Sequence, residues 1–486
     1  MIEMTETTLE RLAMSGLALL VVAVLVVAAA LIGMGNYAMD DAYIVEHSVK
    51  GILAGAETRF IGSTPWQGVT SPLYVGALWL LALILPIDIA HWLMGGLSAF
   101  ALVLGWYVLS RRSVGPVVAV VVAVVALFSG MTIYQIGNGL ETAMAMAALT
   151  WILVAFDRRK PPIWGYGLLG SLLFIRPELA AVQGLIALFV LAKRPSGWQA
   201  GLVVAVGTLA VMGASLFAVS GGVVANTVSA KTYFFAEGCQ PAAARAYLAA
   251  GGVAGFLGTV GAFGFGFALV VASRLRSIAA GFIFVFLLAY FFRFPGALWH
   301  NEFRYLYLLL PFAVLGWSSA LAHQNATFRR VTAVIGLMAV THVVMTAGTR
   351  LSAYVDEART VSKENLSASL WVAQNVAPDD VVMVHDAGLI SLHGRQPLVD
   401  LVGLKSPSSA KVHHDMTYAQ CRRVPQAISE IAGRAGAGYM IVTRDWNRIF
   451  RLTEALEATG WTVERADGER GDTLYQVYRI DQPASE

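Results

Sequence analysis

The chain has 486 residues, of which 57% are apolar and only 13% are charged. Soluble globular proteins carry about 25% charged residues, so the composition excludes an ordinary water-soluble protein and favours one with many membrane-buried segments. The net charge is only +3, and no concentrated basic face appears, which argues against a nucleic-acid-binding protein. The two cysteines, Cys239 and Cys421, form no C-x-x-C metal or redox pattern.

The first apolar run, 12–34, is uncharged, long enough to span a bilayer and too long for a typical signal peptide. We therefore predict an uncleaved first transmembrane helix there. Another apolar run, 72–87, is predicted to dip into the membrane without crossing it. In total the sequence predicts about eleven transmembrane helices, near 12–34, 91–110, 114–130, 140–156, 163–175, 179–193, 200–219, 251–273, 277–294, 303–322 and 331–348.

Clusters of basic residues set the orientation of these helices, because Lys and Arg concentrate in cytoplasmic loops. The clusters lie at 111–112, 158–160, 193–194, 274–276 and 329–330. If all of them are cytoplasmic, the N-terminus is also inside. The segments on the outer face are then the loops 35–71 and 220–250, the turn 295–302 and the turn at 175–179.

The composition changes near residue 350, beyond which the charge content is that of a soluble domain. We predict a transmembrane domain over 1–349 and a periplasmic α/β domain over 350–486. Helices are expected at 363–376, 424–434 and 450–459, and strands at 381–384, 439–442 and 473–480. No catalytic motif stands out in this second domain.

The first outer loop contains two adjacent carboxylates, Asp40 and Asp41. Repulsion between them tends to raise the pKa of one, unless a cation or a metal compensates. A carboxylate at a membrane surface can accept a proton from a hydroxyl nucleophile. The alternative is a solvated loop whose acids only end the first helix.

The same loop continues through Thr70 and Ser71 into the apolar dip, and these residues are predicted to form a pocket rim. Alternatively, the segment is an interfacial anchor that uses Trp66 and Tyr74. Glu141 lies just inside an otherwise apolar helix, where ionisable groups usually face a cavity or a partner. The alternative for Glu141 is a side chain that reaches interfacial water.

The sequence Arg176-Pro177-Glu178 divides a long apolar stretch into two short halves, because proline excludes an unbroken helix. Arg176 and Glu178 could simply pair with each other. In the functional interpretation, Arg176 binds a lipid-linked phosphate, since a guanidinium matches phosphate geometry.

Further cations are predicted on the outer face, where the positive-inside rule does not expect them. They include Lys231, His300 and Arg304, and Tyr305 follows directly. Arg293 has the same predicted location. A negatively charged ligand would explain these cations. The alternatives for Arg304 are an ion pair with Glu302 and an ordinary interfacial arginine.

At these residues the chain resembles the GT-C glycosyltransferases, and most closely the bacterial arabinofuranosyltransferases that use a decaprenyl-phosphate arabinose donor. The matched motifs follow a fixed order over most of the chain. They are Asp40 to Ile44, Gly68 to Leu73, Gly139 to Thr142, Arg176 to Glu178, Arg304–Tyr305, Asp386 to Gly388 and Asp400 to Leu404.

The resemblance implies a GT-C fold and a sugar donor carried on polyprenyl phosphate. It implies that Asp40 or Asp41 is the general base of an inverting transfer to an envelope glycan, lipid or protein. Arg176, Lys231, Arg304 and Tyr305 would bind the donor phosphate. Glu141, Glu178, Thr70, Ser71 and His300 would line the pocket. A divalent metal, Mg or Mn, at the acidic loop stays open, because some relatives hold one and others do not.

Two further questions stay open. A transporter or flippase for lipid-linked saccharides is the alternative function, although the sequence shows no internal repeat. Cys239 and Cys421 are both predicted outside the cytoplasm, where a disulfide could form. The sequence gives no distance between them, and we expect two free thiols.

Overall fold

The computed structural model describes residues 6–221, 226–422 and 424–483 of the chain. Its first three quarters consist of helices joined by short turns. The α-helices of this part are Glu6–Ile32, Asp41–Ala54, Pro72–Ala82, Ile87–Arg111, Pro116–Phe128, Thr132–Gly137, Thr142–Phe156, Ile163–Ile175, Ala180–Lys193, Trp198–Ser220, Asn226–Phe235, Ala242–Val260, Gly266–Leu269, Arg276–Arg293, His300–Phe303, Leu310–Leu321 and Ala326–Thr360. The polytopic helical class that the sequence predicts is confirmed.

Among the described residues, six helical segments are long and apolar enough to cross a membrane, or seven if the bent pair around residue 304 counts as one span. Each predicted span coincides with a helix, but several of those helices are short. Helix Ile163–Ile175, at one predicted span, has 13 residues and rises about 20 Å, which is well short of a hydrocarbon core of about 30 Å. The number of eleven crossings therefore stays a prediction.

The helical core is closely packed around aromatic and small residues. Trp106 and Phe312 are fully buried within it. A Cβ at Gly316 would lie 1.9 Å from the carbonyl oxygen of Gly266, so only glycine permits the two backbones to approach this closely. Small residues at helix crossings are typical of membrane proteins.

The C-terminal part forms one five-stranded sheet, in the order β2-β1-β3-β5-β4. The strands are β1 Val381–Val384, β2 Leu398–Asp400, β3 Ala437–Thr443, β4 Thr462–Arg465 and β5 Tyr475–Asp481. Strand β1 pairs in parallel with β2 and β3, and β5 pairs antiparallel with β3 and β4. The α-helices of this part are Leu366–Asn375, Leu389–Leu392, Pro407–Val412, Pro425–Ala435, Arg444–Phe450 and Leu452–Glu457.

Helix Pro425–Ala435 illustrates how the sequence sets these elements. Proline occupies its first turn and Gly436 follows its end with a φ of 63°, which are the usual start and stop signals of a helix. The strands expected around 381–384, 439–442 and 473–480 are confirmed, whereas β2 and β4 were not predicted. The division at residue 350 stays a prediction, because helix Ala326–Thr360 runs through it without a break.

The first predicted outer loop joins the two parts of the chain. Residues 59–61 run alongside β2, and the Leu398 N–H donates to the Arg59 carbonyl (2.9 Å) while the Ile61 N–H donates to the Leu398 carbonyl (3.1 Å). The Arg59 guanidinium also donates to the carbonyls of His393 (2.9 Å) and Gln396 (2.9 Å). This backbone pairing fixes the loop against the edge of the sheet.

Asp40 makes the tightest link between the two parts. Its Oδ2 accepts the Gly388 N–H (2.6 Å), and its Oδ1 accepts the Leu389 N–H (2.8 Å) and the Asn365 side-chain amide (2.7 Å). A Cβ at Gly388 would lie 2.1 Å from the Asp40 carbonyl oxygen. Only glycine at 388 therefore allows the C-terminal part of the chain to hold Asp40 in this way.

The first prediction tests this junction. Gly388→Ala puts a methyl group against a backbone atom that cannot move aside cheaply. We expect it to lower the free energy of unfolding by about 1–3 kcal/mol. The measurement is the melting temperature in detergent, together with the rate at which protease releases the C-terminal part.

Gly468→Ala is the matched control, because a Cβ at Gly468 meets nothing within 4 Å. We expect this variant to melt at the wild-type temperature. A Gly388→Ala protein with wild-type melting and protease resistance would contradict the proposed role of the junction.

Candidate functional site

A cavity of about 1140 Å³, including its open mouth, lies where the first loop meets the helical core. Its walls come from segments far apart in the sequence, including helices Asp41–Ala54 and Asn226–Phe235 and the turn at 176–178. Nine of the predicted site residues line it, namely Asp41, Thr70, Ser71, Glu141, Arg176, Glu178, Lys231, Arg304 and Tyr305. Asp40 and His300 are not among its lining residues.

The two adjacent aspartates have different surroundings. Asp40 is the residue before helix Asp41–Ala54 and is bound to the soluble domain, whereas Asp41 opens the helix and faces the cavity. Consecutive helical residues point about 100° apart, so the two carboxylates diverge. Burial and the nearby Asp386 carboxylate raise the pKa of Asp40 well above its ordinary value. Only Asp41 can meet a ligand in the cavity.

Asp41 is surrounded by positive charge. Its Oδ2 lies 3.2 Å from the Arg304 Nη1, and its side chain is about one-third exposed. Burial raises the pKa of Asp41, but Lys231 and Arg304 outweigh this effect and hold it below the ordinary value. Asp41 is therefore an ionised carboxylate at physiological pH. The partner of Arg304 is thus Asp41, and not Glu302 as one sequence interpretation suggested.

A strained turn presents Arg304 to the cavity. The three residues before it, Asn301, Glu302 and Phe303, have φ values of 51°, 55° and 62°, a left-handed conformation that is unfavourable for side-chain-bearing residues. The buried Gln135 amide donates to the carbonyls of Asn301 (3.0 Å) and Glu302 (3.1 Å). Strain of this kind persists only where the surroundings enforce it, and it is concentrated at functional sites.

A buried cluster surrounds Arg176 in the cavity wall. Its Nη2 lies 3.0 Å from the Glu178 Oε1, and its Nη1 lies 3.4 Å from the Glu141 Oε1. The pairing of Arg176 with Glu178 that the sequence allowed is therefore present, and Glu141 also reaches Arg176. The Tyr290 hydroxyl donates to Glu178 at 2.7 Å.

Tyr305 connects the two arginines. The Arg176 and Arg304 guanidinium carbons lie 5.0 and 5.1 Å from the centre of its ring, within the range of cation–π contacts. Its hydroxyl accepts a hydrogen bond from the Arg304 Nη2 at 3.2 Å. The predicted residues Arg176, Arg304 and Tyr305 thus form one continuous wall.

Two cations of the cavity make no ion pair within the described part of the chain. Lys231 and Arg293 line it, and neither makes an ion pair or hydrogen bond with any residue in the described ranges. His300 lies behind this region, with its ring against Phe235 and Phe294. Burial, Lys231 and Arg304 lower the pKa of His300 to about 4, so it is neutral at physiological pH.

A disulfide secures the segment that carries Lys231. Cys239 and Cys421 are bonded, and their Cα atoms lie 5.3 Å apart. The expectation of two free thiols is therefore wrong, because the fold brings together residues that are 182 positions apart. At the other end of the same helix, the Asn226 side chain accepts the Gly68 N–H (3.2 Å) and donates to the Leu404 carbonyl (3.0 Å).

Solved structures of similar shape identify the architecture. The chain superposes on ArnT from Cupriavidus metallidurans bound to undecaprenyl phosphate with a TM-score of 0.53 and 11% identity, over 97% of this chain and 100% of that one.

The chain has the GT-C fold.

Two weaker matches were also found. The apo oligosaccharyltransferase from Archaeoglobus fulgidus gives a TM-score of 0.46 at 13% identity, over 94% of this chain and 74% of that one. The arabinofuranosyltransferase AftD from Mycobacteria gives 0.42 at 13% identity, over 96% and 42%. A family model described as a domain of unknown function (DUF8728) matches residues 353–478. No curated protein matches the sequence.

Three residues that line the cavity were not assigned to it from the sequence. Tyr74 is 1% exposed and lines the cavity, so the interpretation of it as an interfacial anchor is wrong. Tyr290 lies within an apolar helix, and only its hydroxyl group distinguishes it from the apolar residues around it. Arg293 was noted only as a cation near the outer face.

The acidic loop does not offer a ready metal site. Both oxygens of Asp40 already accept N–H groups, and Asp41 faces Arg304 and Lys231, which would repel a metal cation. No group of three or more His, Cys, Asp or Glu side chains suited to a metal occurs in the described part of the chain. We therefore derive no step through Mg or Mn.

Proposed function

We propose that this GT-C protein is a membrane glycosyltransferase whose donor is a sugar on polyprenyl phosphate. The sugar is arabinofuranose or a related pentose or hexose, and the acceptor is an envelope glycan, lipid or protein. One observation carries the proposal: the cavity holds the Asp41 carboxylate together with Lys231 and Arg293, two cations that make no ion pair among the described residues. The ArnT structure of the same fold contains undecaprenyl phosphate, a carrier of the proposed class.

The donor phosphate is assigned to the cationic side of the cavity. Lys231 and Arg293 make no ion pair among the described residues, and Arg304 forms its ion pair with Asp41. Guanidinium and ammonium groups are the usual partners of phosphate. In the reaction, the bond between the anomeric carbon and the phosphate oxygen breaks. These cations stabilise the negative charge that the departing lipid phosphate acquires.

Asp41 is assigned as the general base. It accepts the proton of the acceptor hydroxyl as that oxygen bonds to the anomeric carbon from the face opposite the leaving phosphate, which inverts the configuration. Lys231 and Arg304 lower the pKa of Asp41 in the empty site. A bound phosphate offsets these two charges, so donor binding makes Asp41 a stronger base at the moment it is needed.

The active site is assigned to the extracytoplasmic side of a multi-pass inner-membrane protein. Five basic clusters support this orientation through the positive-inside rule. The Cys239–Cys421 disulfide supports it independently, because disulfides persist mainly in oxidising compartments.

The second prediction separates the two aspartates. Asp41→Asn removes the base, so we expect turnover with a polyprenyl-phospho-sugar to fall about 10²–10⁴-fold while the melting temperature stays unchanged. Both oxygens of Asp40 accept N–H groups, so in Asp40→Asn the side-chain NH₂ faces an N–H donor in either orientation of the amide. We expect this variant to lose about 1–3 kcal/mol of unfolding free energy. Turnover and melting temperature are measured on the same preparations.

The contrast between the variants is the decisive result. An Asp41→Asn enzyme with normal turnover would contradict the assignment of the base. An Asp40→Asn enzyme that melts like the wild type but is inactive would indicate that Asp40, and not Asp41, is the general base.

The third prediction concerns pH. Because Lys231 and Arg304 lower the pKa of Asp41, the acid limb of kcat/KM should lie below the ordinary aspartate value of about 3.9. Activity that requires the ionised Asp41 carboxylate is present above the pKa of this limb and is lost as the pH falls through that pKa. Lys231→Met removes a cation that stabilises the carboxylate, so the limb should move to higher pH.

Lys411→Met is the control, since Lys411 is exposed and forms its ion pair with Asp415. The acid limb of kcat/KM in this variant should stay at the wild-type pH. An acid limb that does not move in Lys231→Met would argue against Asp41 as the titrating base.

The fourth prediction tests the orientation. Because the two native cysteines are bonded to each other, single cysteines can be introduced at the exposed positions Ala56 and Ser196. A membrane-impermeant maleimide applied to intact spheroplasts should label Ala56→Cys and leave Ser196→Cys unlabelled until the cells are lysed. The reverse labelling pattern would place the cavity in the cytoplasm and contradict the proposed donor side.

A further inference from the structure

The cavity contains buried polar atoms that have no hydrogen-bond partner in the described part of the protein. These atoms are the Ser71 Oγ, the Tyr74 Oη, the Arg176 Nη1 and the Arg304 Nε. The four side chains are between 1% and 5% exposed, and all line the same cavity. Buried polar groups in native proteins are nearly always paired, so a group of them around one cavity indicates a polar ligand.

The chemistry of three of these groups fits hydroxyl groups rather than a second phosphate. Ser71 and Tyr74 can each donate and accept, and Arg176 can only donate. Glu141 lies beside Arg176 and can only accept when it is ionised. A sugar ring presents hydroxyls that both donate and accept, which matches this mixture. A phosphate offers acceptors alone, and a carboxylate in the wall would repel it.

The charges of the cavity divide it into two ends. At one end Arg176 stands between Glu141 and Glu178, so carboxylates outnumber cations. At the other end Lys231, Arg293 and Arg304 outnumber Asp41. The ring of Tyr305 lies between Arg176 and Arg304 and joins the two ends.

We propose that Ser71, Tyr74, Arg176 and Glu141 form the sugar subsite of this cavity, and that it accepts a neutral, polyhydroxylated sugar and rejects a uronic acid. This inference rests on the proposed function and deepens it by naming the class of sugar. The two-ended charge pattern aligns a glycosyl phosphate, with its neutral ring at the carboxylate end and its phosphate at Lys231. A sugar carboxylate at that end would face Glu141 and Glu178.

Binding of defined carriers to the full-length protein in nanodiscs tests the subsite. The probes are decaprenyl phosphate without sugar and the same carrier bearing arabinofuranose, glucose or glucuronic acid. We expect the wild type to bind the two neutral glycosylated carriers more tightly than the bare carrier, and the glucuronic acid carrier no more tightly than the bare one. Tyr74→Phe and Ser71→Ala should each weaken binding of the preferred neutral carrier about fivefold to tenfold and leave the bare carrier unchanged.

Tyr166→Phe is the matched control, because the Tyr166 hydroxyl is also buried without a partner but lies outside the cavity. We expect it to bind every carrier as the wild type does. Glu141→Gln should improve binding of the glucuronic acid carrier relative to the bare carrier, because it removes a negative charge from the subsite. This last gain cannot result from a general loss of structure.

Transfer of radiolabelled sugar, measured in parallel, separates this inference from the function on which it rests. If Tyr74→Phe and Ser71→Ala bind both kinds of carrier like the wild type while transfer continues, the subsite is wrong and the function stands. If glycosylated carriers bind with the expected selectivity but no sugar is transferred to any acceptor, the function is wrong and the subsite stands. Equal weakening of the bare and glycosylated carriers, or tight binding of glucuronic acid, would also overturn the subsite.

Discussion

The arrangement of the cavity depends on the three hydrogen bonds that the C-terminal part of the chain donates to the Asp40 carboxylate. Asp40 is the residue immediately before helix Asp41–Ala54, so these bonds fix where that helix begins and how it is rotated. The next side chain, Asp41, is turned by about 100° from Asp40 and points into the cavity. The C-terminal domain therefore orients a group that it does not itself contain. This gives a physical reason for the Asp386-Ala-Gly388 motif, since only glycine at 388 admits the Asp40 backbone.

The cavity itself is organised by the separation of its charges. Asp41 and Arg304 pair on one side, and Arg176 is balanced by Glu141 and Glu178 on the other. Lys231 and Arg293 make no ion pair in the described structure, which leaves positive charge for a ligand to neutralise. In the proposed reaction, such preorganised charges would stabilise the departing phosphate without rearranging. The strained turn at 301–303 is part of this preorganisation, because Gln135 holds it in place.

Much of this architecture could be predicted from the sequence because the signals are local. Apolar runs predict helices, and the buried β-branched run at 381–384 predicts strand β1. Nine predicted site residues line the cavity, and eight of them lie in the ordered motifs, the exception being Lys231. Strand β2 has only three residues and is recognisable only once it pairs with β1. Strand β4 has the sequence TVER and therefore lacks the apolar run that marks β1.

The parts that sequence could not supply all depend on tertiary geometry. Two adjacent aspartates cannot be told apart in a sequence. Only the contact of Asp40 with the C-terminal part of the chain distinguishes it from Asp41. The proximity of Cys239 to Cys421 depends on a contact between segments 182 residues apart. A tyrosine at the position of Tyr74 in the sequence is typical of an interfacial anchor. The burial of Tyr74 in the cavity follows from the packing of its helix against the core.

The central claim is that Asp41 faces the reacting groups while Asp40 holds the two domains together. A structure of the protein with a glycosylated polyprenyl phosphate and an acceptor analogue tests it most directly. The account predicts Asp41 within about 2.6–3.2 Å of the acceptor hydroxyl and Asp40 still bound to the Gly388 and Leu389 N–H groups. A complex in which Asp40 has left Gly388 and approaches the sugar, with Asp41 turned away from the acceptor, would contradict the account.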